Sequence, residues 1–246
     1  MVTSNSTQSR PRVVVAGATG LVGRAVLALL TSRPAAPGLP KNSSITALVR
    51  QPAQLAGLPA GVKGQLVDLS ALGRAGVEGL PPLDWAVCCL GTTIKAAGSQ
   101  VAFRAVDFDA VLAFARATKV AGASRLAVVS AMGAQARSSV FYNRVKGEME
   151  QALIALDLPR LVIVQPALLL GERASLGQAS RPGEALAQRW MPRFARLLPR
   201  SLRPIRADSV ALAMITALAV DGPAVSRLAS DQLQALADQA LARYQR

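Results

Sequence analysis

Three residues have the types and spacing for proton transfer to a carbonyl oxygen: Ser130, Tyr142 and Lys146. Tyr142 and Lys146 lie four apart, so both project from one face of a helix. An ammonium beside a phenol stabilises the phenolate and lowers the tyrosine pKa from its ordinary value of about 10. Tyr142 can then give a proton to a substrate oxygen or take one from it. Ser130, at the end of a strand, is expected to hydrogen-bond that same oxygen. A Tyr-x-x-x-Lys pair recurs by chance, and an ordinary pair on a helix surface is the plain alternative.

A second set lies near the N-terminus. Val13-Val14-Val15-Ala16 runs into Gly17-Ala18-Thr19-Gly20-Leu21-Val22-Gly23. Gly17 permits a tight turn out of the strand, Gly20 lets backbone approach a pyrophosphate, and Gly23 lets the helix pack on the sheet. Unpaired N–H groups at the helix start, with its dipole, favour phosphate. The spacing is G-x-x-G-x-x-G rather than the commoner G-x-G-x-x-G, but the strand before it and the helix after it are the context that such a loop requires. With a dinucleotide there, Lys146 is expected to hold the nicotinamide ribose as well.

In NAD enzymes an acid at the end of the second strand binds the ribose 2′-hydroxyl. Here that strand ends Leu48-Val49-Arg50. A cation suits a 2′-phosphate, which predicts NADP(H), with Arg24 assisting. The alternative is that Arg50 is a solvated strand-end charge. Asp68, at the end of the third strand, either accepts from the adenine amino group or caps the following turn.

The elements that must position these residues alternate. Strands are predicted at Arg12–Ala16, Ser44–Val49, Gly64–Val67, Asp84–Leu90, Arg125–Val129 and Leu161–Val164. Helices are predicted at Leu21–Thr31, Val101–Ala121 and Tyr142–Leu156. Such alternation implies a parallel sheet covered by helices on both faces. Runs such as Leu126-Ala127-Val128-Val129 fit strands buried on both sides. The fold class predicted is therefore α/β, a Rossmann-type doubly wound parallel sheet.

Residues 12–246 are expected to form one domain, after a disordered leader over 1–11. Pro34–Pro40 reads as a loop insertion. After Pro166 the texture changes, and 166–246 is expected to form a small lobe on the substrate side of the sheet. It would hold a short helix near Glu184–Phe194, a helix Ser209–Val220 capped by Asp208, and a last amphipathic helix over Ser230–Arg246.

Composition narrows the chemistry. The 246 residues contain no histidine, which excludes a Ser-His-Asp triad. The two cysteines, Cys88 and Cys89, are adjacent in a strand and point to opposite faces, so neither a mutual disulfide nor a zinc site is expected. Reduced thiols and a polar N-terminus predict a cytoplasmic protein. No apolar run approaches the ~20 residues of a membrane span. The net charge of +14 invites a nucleic-acid reading. Arginine outnumbers lysine 23 to 5, a bias that base composition can produce, and aromatics at 4% are too few for a stacking platform, so nucleic acid is discounted.

The chain resembles the atypical branch of the short-chain dehydrogenases/reductases. The resemblance rests on GATGLVGR (17–24), CLGTT (89–93), VDFDAVL (106–112), SAMGA (130–134), FYNRVKGEMEQAL (141–153) and SRPGEAL (180–186). It implies a Rossmann-type fold, NADP(H), and a Ser–Tyr–Lys site at Ser130, Tyr142 and Lys146. Cofactor contacts are implied at Gly17, Thr19, Gly20, Leu21, Val22, Gly23, Arg24, Leu90 and Gly91, beside Arg50, Asp68 and Lys146. Two departures stand out. Asp107 occupies the place where many such enzymes carry a relay asparagine, and Gln165-Pro166-Ala167 replaces a related Arg-Pro-Gly.

Three functions fit. The first is an NADP(H)-dependent oxidoreductase acting on a small carbonyl or alcohol, with Tyr142 as acid/base. The second is an NADP(H)-binding sensor or partner-binding protein with little turnover. The third is a nucleotide-sugar epimerase-like enzyme retaining its NAD, for which the segment after Pro166 is short. The arginine-rich stretch Arg173–Arg206 is expected to wall the substrate pocket and favour anionic small molecules. Helices Val101–Ala121 and Tyr142–Leu156 are the expected faces of a homodimer.

Overall fold

The computed structural model describes residues 11–32, 43–69, 72, 80–170 and 199–244. The expected leader (save Pro11), the Pro34–Pro40 insertion, the Glu184–Phe194 helix and most of Arg173–Arg206 lie outside the described residues.

Seven strands form one parallel sheet in the order β3-β2-β1-β4-β5-β6-β9. They are β1 (Arg12–Ala16), β2 (Ser44–Val49), β3 (Val62–Leu66), β4 (Trp85–Cys88), β5 (Arg125–Val129), β6 (Arg160–Gln165) and β9 (Val225–Ala229). Two short strands, β7 (Leu169–Leu170) and β8 (Ile205–Arg206), pair with each other outside this sheet. The order reverses between β1 and β4, which opens the ligand crevice at the strands' carboxyl ends.

The apolar strands serve two cores. Val13, Val15, Ile45, Ala47, Val87, Ala127, Val162 and Val164 pack beneath α1 (Leu21–Thr31), α6 (Ala207–Ala219) and α7 (Ser230–Tyr244). Val14, Ala16, Leu48, Ala86, Cys88, Leu126, Val128, Leu161 and Ile163 face α4 (Val111–Val120) and α5 (Phe141–Ile154). Alternate residues thus reach opposite layers, which is why these strands are apolar throughout rather than alternating.

Several boundaries differ from the sequence expectation. The third strand runs Val62–Leu66, so Asp68 stands past its end. The fourth is only Trp85–Cys88. Ahead of it, Asp84 receives the Arg12 guanidinium at 3.1 and 2.9 Å, and behind it Cys89 to Thr93 leave the sheet as the chain turns over its edge. The helix expected over Val101–Ala121 is broken into α3 (Gln100–Arg104), a π-helical turn (Ala105–Ala110) and α4. A four-residue helix, α2 (Ile94–Ala97), precedes it.

Asp208 is not a cap. Helix α6 begins at Ala207 with Arg206 at the cap position, and Asp208 sits in the first turn, bonded to Arg206 at 2.9 Å. The separate lobe over 166–246 is narrowed as well. Strand β9 extends the main sheet beside β6, and α6 packs on α1 within the larger core. The described part that stands apart from the sheet is the β7–β8 pair with a 3₁₀ turn at Arg200–Leu202. Among the described residues, no helix is long and apolar enough to cross a membrane.

Candidate functional site

The glycine loop is built by close approach. Gly17 has φ +74°, and a Cβ there would lie 2.4 Å from the Cys89 carbonyl oxygen. The Cys89 N–H donates to the Ala16 carbonyl at 2.8 Å, so the turn after β1 lies directly on the chain leaving β4. A Cβ on Gly23 would lie 2.1 Å from the Gly17 carbonyl oxygen, whereas one on Gly20 would meet that oxygen at 3.3 Å. Gly17 and Gly23 are therefore required by packing, and Gly20 is the position left for a ligand to approach.

The start of α1 suits an anion. Gly20 is its cap and has no side chain to satisfy the first N–H groups, and the first turn contains no acid. Val22 is buried, while Thr19, Gly20 and Leu21 are half-buried. Arg24 is exposed and donates from Nε to the Thr19 carbonyl at 3.1 Å, which ties the loop to the helix. These features fit a pyrophosphate: glycine where a side chain would intrude, and a helix start with no side-chain cap.

Arg50 is the first residue after β2 and is exposed. Its N–H and that of Gln51 both donate to Gln54 Oε1, at 2.9 and 3.2 Å, which fixes the turn that carries it. Asp68 is exposed, and its carbonyl accepts from the Leu72 N–H at 3.3 Å. That bond is to the Asp68 backbone and leaves both roles of its side chain open.

Helix α5 supplies the second half of the site. Tyr142 is half-buried against Phe103, with ring centroids 5.3 Å apart. Lys146 is buried, and its Nζ lies 2.8 Å from Asp107 Oδ1. Asp107 is buried on the π-helical turn, and its Oδ2 accepts the Thr92 N–H at 2.8 Å. The Nζ contact is an ion pair off hydrogen-bond angles, so Oδ1 has no well-aligned donor among the described residues. In a low-dielectric setting such a pair persists because each charge offsets the burial of the other.

Residues 89–92 join the halves. Cys89 and Leu90 back onto Gly17, and a Cβ on Gly91 would lie 3.4 Å from Asp107 Oδ1 and 3.8 Å from Lys146 Nζ. Thr92 then holds Asp107. Leu90 and Gly91 thus sit between the glycine loop and Lys146. The cysteines here are structural. Cys88 faces one core and Cys89 packs on the other, both are free thiols, and burial pushes the Cys88 pKa up to about 12 and raises that of Cys89 too.

Ser130 is buried just past β5, and its N–H donates to the Val164 carbonyl at 2.8 Å. Its hydroxyl does not point freely to substrate. It donates to Glu150 Oε1 at 2.5 Å. Gln165 Nε2 bonds both Glu150 oxygens at 2.9 and 3.1 Å, and Arg227 Nε reaches Oε2 at 3.1 Å. Glu150, Gln165 and Arg227 were missed as site residues from sequence. A signal for Glu150 existed, since it follows Tyr142 and Lys146 at the same four-residue interval on one helix face.

A family model described as NAD(P)H-binding matches residues 17–194, and the chain belongs to that family, an oxidoreductase-like one. Protein FMP52, mitochondrial, of Lodderomyces elongisporus is 30% identical over 210 residues, 80% of this chain and 82% of that protein. Protein FMP52-1, mitochondrial, of Scheffersomyces stipitis is 35% identical over 171 residues, 65% of this chain and 67% of that protein. Protein HTATIP2 of Rattus norvegicus is 41% identical over 107 residues, 44% of this chain and 42% of that protein. The resemblance to atypical short-chain dehydrogenases/reductases therefore holds.

Among solved structures, WbmG of Bordetella bronchiseptica in complex with NAD has a TM-score of 0.64 at 15% identity, covering 97% of this chain and 79% of that one. The UDP-glucose 4-epimerase of Thermus thermophilus in complex with NAD has a TM-score of 0.63 at 19% identity, covering 93% and 83%. These likenesses show the Rossmann-type fold. One expectation is overturned: the FMP52 relatives are named mitochondrial, against the cytoplasmic location inferred from thiols and the N-terminus. Reduced thiols report a reducing compartment and not which one.

Proposed function

We propose that this protein is an NADP(H)-dependent oxidoreductase acting on a small carbonyl or alcohol. The observation that supports the reading is the chain of contacts from Gly17 through Cys89–Thr92 to Asp107 and Lys146, which links the glycine loop to α5. The cofactor, when bound, supplies hydride exchange with the substrate carbon. The start of α1 would hold its pyrophosphate, Arg50 with Arg24 its 2′-phosphate, and Lys146 the ribose on the nicotinamide side. Tyr142 exchanges the proton with the substrate oxygen. The relatives' names extend the reading to a mitochondrial site of action.

The test is NADPH oxidation against a panel of aldehydes, ketones and quinones. Titration of NADPH and NADH with wild type and Arg50→Ala decides the cofactor. A charge-assisted contact to the 2′-phosphate contributes on the order of 1.5–3 kcal/mol. Equal wild-type affinities for the two cofactors would remove the role of Arg50.

The second reading is an NADP(H)-binding sensor. It is favoured by the fact that the Ser130 hydroxyl and Lys146 both already have partners inside the protein. Tight binding without turnover selects it. Co-purified NAD would instead select the epimerase-like reading. Anionic substrates, attracted by the arginine-rich stretch 173–206, and a homodimer through the faces of α4 and α5 belong to the same proposal. A KM that rises with ionic strength supports the first, and sedimentation reads the second.

A further inference from the structure

A hydroxyl has one proton. That of Ser130 is committed to Glu150, at 2.5 Å, inside a site where both residues are at least 96% buried. Glu150 cannot release it readily, because its two oxygens collect donors on every described side: Ser130 and Gln165 on Oε1, Gln165 and Arg227 on Oε2. These three partners come from outside α5, namely from just past β5, the end of β6 and β9. With the proton turned inward, only oxygen lone pairs remain for the other side of Ser130. They can accept a hydrogen bond and cannot donate one.

We propose that Glu150 is a positioning residue that holds the Ser130 hydroxyl as a hydrogen-bond acceptor in the crevice, leaving donation to the substrate oxygen to Tyr142. Ser130 then accepts from the Tyr142 phenol, or from the hydroxyl of an alcohol substrate. It does not polarise a carbonyl. Glu150 acts through Ser130 and touches neither substrate nor cofactor. The inference rests on the oxidoreductase reading.

The geometry makes the coupling one-way. Replacing Glu150 by glutamine turns one acceptor oxygen into an N–H donor. Three donor groups then converge on a single oxygen, and the Ser130 proton is free to swing toward the crevice. The Tyr142 phenol then loses the acceptor that orders its proton. The proton-transfer step suffers, while the binding surface for substrate and NADPH keeps its shape.

The experiment is a double-mutant cycle of Glu150→Gln and Ser130→Ala, using whichever carbonyl of the panel wild type reduces. The expected result for Glu150→Gln is a kcat lower by about tenfold, the scale of one hydrogen bond to a charged group. KM and NADPH affinity stay within about twofold. In the Ser130→Ala background the same change lowers kcat less than about twofold, because the hydroxyl through which Glu150 acts is gone. An equal loss in both backgrounds overturns the proposal, since a purely structural role would shift α5 whatever stands at position 130.

Ser130→Ala alone supplies a second reading that does not need the Glu150 variant to fold. It should lower kcat with little change in the carbonyl KM. A donor to the substrate oxygen would lower kcat as well, so the kcat pH profile decides: losing an acceptor for the phenol lowers the kinetic pKa of Tyr142, and an unchanged or raised one means that Ser130 donates and overturns the proposal. If wild type binds NADPH but turns over none of the panel, the oxidoreductase reading falls and takes this inference with it. Turnover with additive variants removes this inference alone.

Discussion

Substitution of Gly23 and of Gly20 by alanine should separate what the glycine loop does for folding from what it does for a ligand. A Cβ on Gly23 would stand 2.1 Å from the Gly17 carbonyl oxygen, 2.8 Å from the Gly17 carbonyl carbon and 2.9 Å from Ala18 Cα. Ordinary contact begins at 3.4 Å, so something must yield by more than 1 Å. All three opposing atoms are backbone, and the Gly17 carbonyl is held by the Gly20 N–H at 3.0 Å. The turn cannot rotate a side chain away, so α1 must lift from the sheet. Overpacking of this kind costs about 1–3 kcal/mol, and the displaced helix start should lose NADPH as well. Gly20→Ala is the contrast. Its φ of −77° and ψ of 172° suit alanine, and its Cβ would meet the Gly17 oxygen at 3.3 Å, about 0.1 Å inside ordinary contact rather than more than 1 Å. Stability should change by under about 0.5 kcal/mol. The new methyl would occupy the space through which a phosphate approaches, so NADPH affinity should fall roughly 10- to 100-fold, the loss of one or two charge-assisted contacts. Urea unfolding and fluorescence titration of NADPH read the two quantities separately. Wild-type affinity in Gly20→Ala would refute phosphate binding at this loop. An unchanged urea midpoint in Gly23→Ala would refute the packing argument.

Three further outcomes are expected. Tyr142→Phe should abolish turnover with NADPH affinity nearly unchanged, and Lys146→Ala should damage both; full activity in Tyr142→Phe with a validated substrate refutes the proton-transfer role. Asp107→Ala should destabilise by about 3–5 kcal/mol in urea unfolding, because it strands Lys146, 3% exposed, as an unpaired buried charge; Asp107→Asn, which retains an acceptor oxygen, should lose less, and a wild-type midpoint for the alanine variant contradicts the pair. The thiols set an alkaline limit: Cys88 ionises near its ordinary 9.0 when unfolded but only at about 12 when folded, so between these values the folded state holds the extra proton and stability falls as pH rises. At pH 8 Cys88, 0% exposed, should not react with a thiol reagent until the protein unfolds, and its rapid labelling in the native protein would show the burial to be wrong.

The local parts of the site were readable from the chain because their causes are local. An apolar run, a turn that only glycine fits and an uncapped helix make β1, the loop and α1 within about twenty residues. A four-residue interval puts Tyr142 and Lys146 on one face of α5 in any tertiary setting. The partners of those residues were not local. Asp107 meets Lys146 because a π-helical turn, absent from the regular helix expected there, rotates it inward beneath Thr92. Ser130 was expected to face substrate; it donates to Glu150 instead, because β6 and β9 bring Gln165 and Arg227 up to hold that carboxylate. Strand β9 escaped notice for a related reason. Val-Ser-Arg-Leu-Ala at a sheet edge is only partly buried, so it carries neither the apolar run nor the alternation by which strands are recognised. Side-chain spacing settles which groups share a surface, and only packing across the sheet settles which of their protons and charges are already spoken for.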